Sequence, residues 1–329
     1  MPQAVTPAGP VAGVAGGTRP GRWQPTGGDA VPSPFYLAVR GRLLVAGKEP
    51  DGDSVRFLPH DRDAYRALQR GGGIRPARDG TVQLRLEGVD APELRYSGAS
   101  QPLGAQARDA LLAALGFAHL EFDPVQPQRV VHAEPASVPA MILCQPLAIS
   151  GRPIAYLTVD PEAVDGLRPG RLLVDQALLE RTVNLRLLRE GVAYYTAYAS
   201  TPPGHHRHLR AAAAGAREAR LGVWARDASA GFALDGRHSI DQQGQLVLPK
   251  LFRRCTDYLT DVAAGFPGSL TDWLTRQPAT TRNRDDHLVI RYIRPARLSD
   301  LVVHRDGRVA FQADPLDLAF GSTTGRDSA

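Results

Sequence analysis

Five polar residues stand apart in this 329-residue sequence by type and spacing. Asp53 lies in the run Asp51-Gly52-Asp53-Ser54, and Arg152 follows Gly151 directly. Arg85, Asp90 and Glu93 lie in Arg85-Leu86-Glu87-Gly88-Val89-Asp90-Ala91-Pro92-Glu93. Pro92 biases Ala91 away from helix, so the chain must turn as it leaves the strand that carries Arg85. Asp90 and Glu93 then stay close on that turn. With the Asp53 tip beside it, three carboxylates share one corner, and they repel unless protons or a cation compensate. A hard cation with oxygen ligands suits the set, Ca2+ or Mg2+. Zinc suits it less, because no Cys or His is present. Two arginines at the same corner would hold a phosphate. Metal, carboxylate base and two guanidiniums are the parts needed to hydrolyse a phosphodiester.

The elements that must position these residues follow from the pattern. Phe35–Val45 and Ser54–Leu58 read as paired strands with the Asp53 tip between them. Residues 59–79 read as a polar insertion with a helical turn around Asp63–Leu68. Thr81–Leu86 alternates with period two and reads as one strand. Pro102–Leu115 reads as a helix, His119–Asp123 as a strand, and Ala140–Gln145 and Ile154–Val159 as two more strands. Residues 160–170 read as a Pro/Gly-rich loop. Leu173–Glu190 reads as one helix ending at Gly191, and His206–Arg220 as another, stopped by Leu221-Gly222-Val223-Trp224.

The ordered motifs resemble the staphylococcal nuclease (thermonuclease) family. The Asp-Gly-Asp-Ser run, Arg85 with Asp90 five residues on, the Pro92-Glu93 pair and Gly151-Arg152 look like that family's active-site signature. Asn184, Gly191, Ala193, His208-Leu209-Arg210 and Leu221-x-x-Trp224 follow in the family's order and spacing. The resemblance covers residues 36–226. It implies an α+β fold, an OB-like five-stranded barrel with packed helices, and calcium-dependent cleavage of DNA and RNA. By it, Asp53, Asp90 and the backbone carbonyl of Ala91 ligate the metal. Glu93 acts as general base or orients the attacking water. Arg85 holds the scissile phosphate and Arg152 stabilises the transition state, leaving 3′-phosphate products. An arginine does not readily donate its proton, so Arg152 acts electrostatically. The sequence departs from the family at Ala91, where a threonine is usual. It departs again at Ile149 and Ser150, in place of lysine and tyrosine, and at Ala197, in place of a nucleotide-stacking tyrosine. Tyr195 or Tyr198 would substitute for the last. These departures motivate the alternative, a catalytically inactive module of the same fold that binds nucleic acid or protein.

Other residues carry weaker signals. Asp51 reads as a turn residue or as a support for the metal ligands. Glu87 shares a strand face with Arg85, where it would pair with that arginine or lie on the barrel surface. Arg210, with Arg217 and Arg220, would track a nucleic-acid backbone or form a solvated helix face. His205, His206 and His208 lack a fourth ligand for zinc. Cys144 and Cys255 read as core residues.

Composition sets the bounds. The sequence is 43% hydrophobic and 6% aromatic, with a net charge of +5 and a pI near 9.5, which suits a polyanionic partner. Only Lys48 and Lys250 are lysines. No run of about 18 apolar residues occurs, so no membrane-spanning helix is expected. Residues 1–34 read as a disordered tail without a recognisable signal peptide. That favours the cytoplasm, with secretion as the alternative. Residues 35–229 form the expected nuclease-like domain, with insertions near 59–79 and 160–170. Residues 230–320 read as a small α+β appendage, with a strand at 287–294 and a hairpin turn at Asp306-Gly307, and 321–329 as a polar tail. Residues 230–329 hold 13 Lys or Arg and 12 Asp, with no Glu. Truncation near residue 229 is expected to keep cleavage but to change substrate preference or stability.

Overall fold

The computed structural model describes residues 34–64, 66, 73–145, 151–198, 200–276, 285–291 and 293–320. The expected tails at 1–33 and 321–329 lie outside the described residues, as do Ile149, Ser150 and half of the turn around Asp63–Leu68. The described residues all belong to one unit, Val31–Ala329.

In chain order the strands of the first half are β1 (Phe35–Leu44), β2 (Arg56–Pro59), β3 (Val82–Gln83), β4 (Arg85–Leu86), β5 (Gly88–Asp90), β6 (Ala118–Phe122), β7 (Val130–Glu134), β8 (Val138–Cys144), β9 (Ile154–Thr158), β10 (Gly170–Leu173) and β11 (Tyr194–Tyr198). β1 pairs antiparallel with β8, β2 and β10, and β8 pairs antiparallel with β9. The run 81–86, expected as one strand, divides in its pairing: β3 lies on β2, and β4 lies parallel on β9. Successive amides of an extended chain point opposite ways. Leu84 and Leu86 donate to Val55 and Asp53, while Arg85 and Glu87 donate to Pro153 and Ala155. One segment thereby ties both ends of the sheet, and the sheet is nearly closed into a barrel. With β3 and β4 counted as one segment, the path β3-β2-β1-β8-β9-β4 has five strands, and β10 is an added edge. Tyr36, Phe57, Leu84, Leu86 and Tyr156 are fully buried in its core.

The helices depart from the sequence reading in two places. The expected loop 160–170 contains α2 (Pro161–Gly166), which follows α1 (Gly104–Ala114) in the chain. Asp160 accepts from the Ala163 N–H at 3.0 Å, and Pro161 opens the helix. The expected helix 173–190 is instead β10, α3 (Gln176–Glu180) and α4 (Val183–Arg189). Thr182 breaks it: its hydroxyl donates to the Leu179 carbonyl at 2.7 Å and accepts from the Leu185 N–H at 3.3 Å, starting a new helix. α5 (Pro203–Glu218) matches the expected helix and packs on α4 and β11.

The C-terminal region is α+β and begins with the short strand β12 (Phe232–Ala233). α6 (Pro249–Ala263) buries Leu251, Phe252, Cys255 and Tyr258. The expected strand 287–294 is two arms of a hairpin, β13 (His287–Ile290) and β14 (Arg294–Arg297), because Arg291 takes a positive φ of 49° between them. β15 (Val302–Arg305) and β16 (Arg308–Phe311) form the hairpin expected at Asp306-Gly307. β17 (Leu318–Phe320) pairs parallel with β11 and antiparallel with β13. One sheet, β14-β13-β17-β11-β5, therefore runs from the C-terminal region to the strand that ends at Asp90.

Candidate active site

The tip that carries Asp53 is fixed by a short pairing of Asp51 with Ser54. A Cβ on Gly52 would come within 2.6 Å of the Ala91 Cβ and 2.8 Å of the Ala107 Cβ. Only glycine lets this tip rest on the Ala91 turn and on α1. Gly88 has φ +77°, a left-handed conformation that redirects the chain from its β9 partner to its β11 partner. Asp90 is then held opposite Tyr194 at the end of β5. Asn184 clamps the junction. Its side chain donates to the Glu87 and Ala155 carbonyls at 2.8 and 3.0 Å and accepts from the Leu157 N–H at 2.9 Å. Gln101 holds the far side: Glu93 N–H donates to its side-chain oxygen at 3.0 Å, and its amide donates to the Val247 carbonyl at 2.7 Å.

Asp53, Arg85, Asp90 and Glu93 meet at one partly buried corner. Arg85 Nη2 donates to Asp90 Oδ1 at 3.0 Å and lies 3.8 Å from Asp53 Oδ2. Its Nε is buried and has no hydrogen-bond partner among the described residues. Arg152 follows Gly151 and precedes Pro153, whose carbonyl accepts the Arg85 N–H at 2.9 Å. It is exposed, and its charge reaches Asp53.

A residue with no sequence signal completes the group. Arg253, from α6, donates to both Asp90 oxygens, with contacts of 3.1 to 3.3 Å, and also to Glu93 Oε1. Arg253 lies outside residues 35–229, the expected nuclease-like domain, so the C-terminal region contributes a side chain to this corner. The Asp90 side chain is 1% exposed, against 14 to 20% for Asp53, Arg85, Glu93 and Arg253. Burial alone would raise the Asp90 carboxyl, but Arg253 and Arg85 outweigh it and hold it below the usual range. Burial pushes Asp53 and Glu93 up, with arginines pulling the other way. Asp51, which accepts from the Gly52 N–H at 2.7 Å, is raised to about 7 by burial and by Asp53.

The remaining expected residues separate into near and far. Tyr198 neighbours Arg85 and is partly buried. Tyr195 is 1% exposed and its hydroxyl meets His206, so it offers no face to a nucleotide. Arg210 is held by Asp317 at 2.7 Å and by the Leu316 carbonyl at 3.1 Å. Ala91 is buried. Glu87 neither pairs with Arg85 nor lies on the barrel surface: it is 2% exposed and accepts from Thr201 Oγ1 at 2.8 Å.

Calcium requires six to eight oxygen ligands. Here both Asp90 oxygens and one Glu93 oxygen are taken by guanidiniums. Among the described residues no group of three or more His, Cys, Asp or Glu side chains is arranged to hold a metal ion. This donor set does not fit a divalent cation.

Residues 151–226 match the family model of staphylococcal nuclease homologues. That segment is staphylococcal nuclease-like. It opens at Gly151-Arg152 and closes two residues after Trp224, so it contains Arg152, the Asn184 clamp, β11 and α5. The match covers less than a quarter of the chain. No curated protein matches the chain significantly. No helix among the described residues is long and apolar enough to cross a membrane.

Proposed function

We propose that the chain hydrolyses phosphodiester bonds of nucleic acid, DNA or RNA, at the Arg85–Asp90 corner. The observation that carries this reading is the convergence of Asp53, Arg85, Asp90 and Glu93, with Arg85 Nε unspent and the Arg152 charge beside Asp53. Arg85 and Arg152 bind the phosphate and face the negative charge that grows on it as water adds. Glu93, raised by burial towards the range of an effective base, orients that water and takes its proton. By the family resemblance the bond to the 5′ oxygen breaks and a 3′-phosphate remains. Calcium dependence, which the resemblance also implies, is left out of this reading because both Asp90 oxygens and one Glu93 oxygen already meet guanidiniums.

The test is digestion of single-stranded DNA, duplex DNA and RNA, each with chelator and with Ca2+, by wild type and Arg152→Ala. Arg152 is exposed, so the variant should melt with the wild type. Its turnover should fall about 10²- to 10³-fold, the loss typical of one transition-state donor. A folded variant with wild-type turnover would refute the mechanism. One observation favours a second reading, binding without cleavage: Arg253 engages the carboxylate that must act as base. That reading predicts intact strands and an affinity that falls steeply with salt.

A further inference from the structure

We propose that Arg253 is the resident cation of this corner, occupying with its guanidinium the place between Asp90 and Glu93 that a divalent metal would need. The inference rests on the phosphodiester reading only for what the corner binds, not for the role of Arg253. Three carboxylates, Asp53, Asp90 and Glu93, need compensation. Arg85 and Arg253 meet them inside the corner and Arg152 adds a third charge at its rim, so the group is balanced as it stands. The Arg253 fork spans both Asp90 oxygens, the arrangement that gives a guanidinium its strongest carboxylate contact.

The arginine is not on a free arm. Its neighbours Leu251, Phe252 and Cys255 are fully buried. Arg254 holds Asp286 at 2.8 Å and Lys250 holds the same carboxylate at 3.3 Å. Asp257, one turn on, accepts from the Tyr96 hydroxyl at 2.9 Å, and Gln101 ties the residues ahead of α6 to Glu93. These anchors on both sides of Arg253 hold α6, and with it the guanidinium, at the corner. A divalent ion entering beside it would meet two guanidiniums and find the Asp90 oxygens taken.

The experiment titrates Ca2+ into the full chain by calorimetry, with melting temperatures measured in parallel, for wild type, Arg253→Gln and Arg253→Lys. Wild type should show no heat of binding and no shift in melting temperature at 5 mM Ca2+. Arg253→Gln leaves Asp90 and Glu93 uncompensated, so it should melt lower in chelator and gain about 3 to 6 °C from 5 mM Ca2+, as expected for a site of sub-millimolar affinity. Arg253→Lys keeps a positive charge and should stay unresponsive. A variant with a merely structural defect would melt lower without gaining a response to Ca2+, and that result would overturn the proposal. If Arg253→Gln does not fold, wild type decides. Stoichiometric Ca2+ binding that is lost in Asp53→Asn would overturn the proposal, and its absence supports it. Oligonucleotide binding in chelator is scored separately. Wild type that ignores both Ca2+ and oligonucleotide would support the role of Arg253 and refute the phosphodiester reading.

Discussion

Replacing Glu87 by Gln should stabilise the protein at neutral and alkaline pH and leave it unchanged in acid. Glu87 is 2% exposed and accepts from the Thr201 hydroxyl at 2.8 Å. Burial outweighs that bond and moves the carboxyl from its ordinary 4.5 to about 7. A raised carboxylic acid stabilises the fold fully below the unfolded value and loses that contribution as pH rises through the folded value. The window is therefore pH 4.5 to about 7. A shift of this size corresponds to about 3 kcal/mol at ~1.4 kcal/mol per pH unit. Gln keeps an acceptor for Thr201 and never ionises, so the variant escapes the loss. Thermal and urea unfolding of both proteins from pH 4 to 9 reads the difference. The two curves should meet near pH 4 and separate by up to about 3 kcal/mol, or about 5 °C for a fold of this size, above pH 7.5. Groups common to both proteins cancel in the difference. A difference that stays constant from pH 4.5 to 7.5 would refute the assignment of a buried, proton-holding carboxyl.

Two further outcomes follow from how the corner is assembled. Asn184→Ala removes the three bonds that join β9 to the Glu87 carbonyl. It should cost about 2 to 4 kcal/mol in urea unfolding, because the Leu157 N–H and two carbonyls are left unpaired in the core. Gly52→Ala brings a methyl group within 2.6 Å of the Ala91 Cβ, an atom that cannot swing aside. It should lower stability by about 1 to 3 kcal/mol and displace the Asp53 tip, seen as a loss of turnover larger than that of a surface Gly215→Ala control, where the added methyl meets nothing.

Much of the barrel could be read from local pattern. The strands at 35–44, 138–144 and 154–158 have apolar periodicity that survives any tertiary context, and their boundaries lie within a few residues of the expected ones. The exceptions arise where a single polar residue competes with a longer pattern. Thr182 splits a leucine-rich run because its hydroxyl serves two backbone groups at once. Asp160-Pro161 builds a short helix inside a stretch whose composition reads as loop. Arg291 folds an alternating run back on itself. In each case a local bond or dihedral overrode the average.

The sequence by itself singled out Asp53, Arg85, Asp90, Glu93 and Arg152 as one candidate set, from their residue types and order. It also called for a cation, since three neighbouring carboxylates cannot stand uncompensated. Which cation was decided by the tertiary structure. Arg253 lies 160 residues from Glu93 and two residues after a buried leucine on an amphipathic helix, where an arginine reads as solvated. Only the docking of α6 across the Tyr96–Gln101 loop, and the sheet that joins β17 to β11 and β5, turn that side chain inward. Charge compensation is a property of space rather than of spacing, so the need for a positive charge was written locally and its source was not.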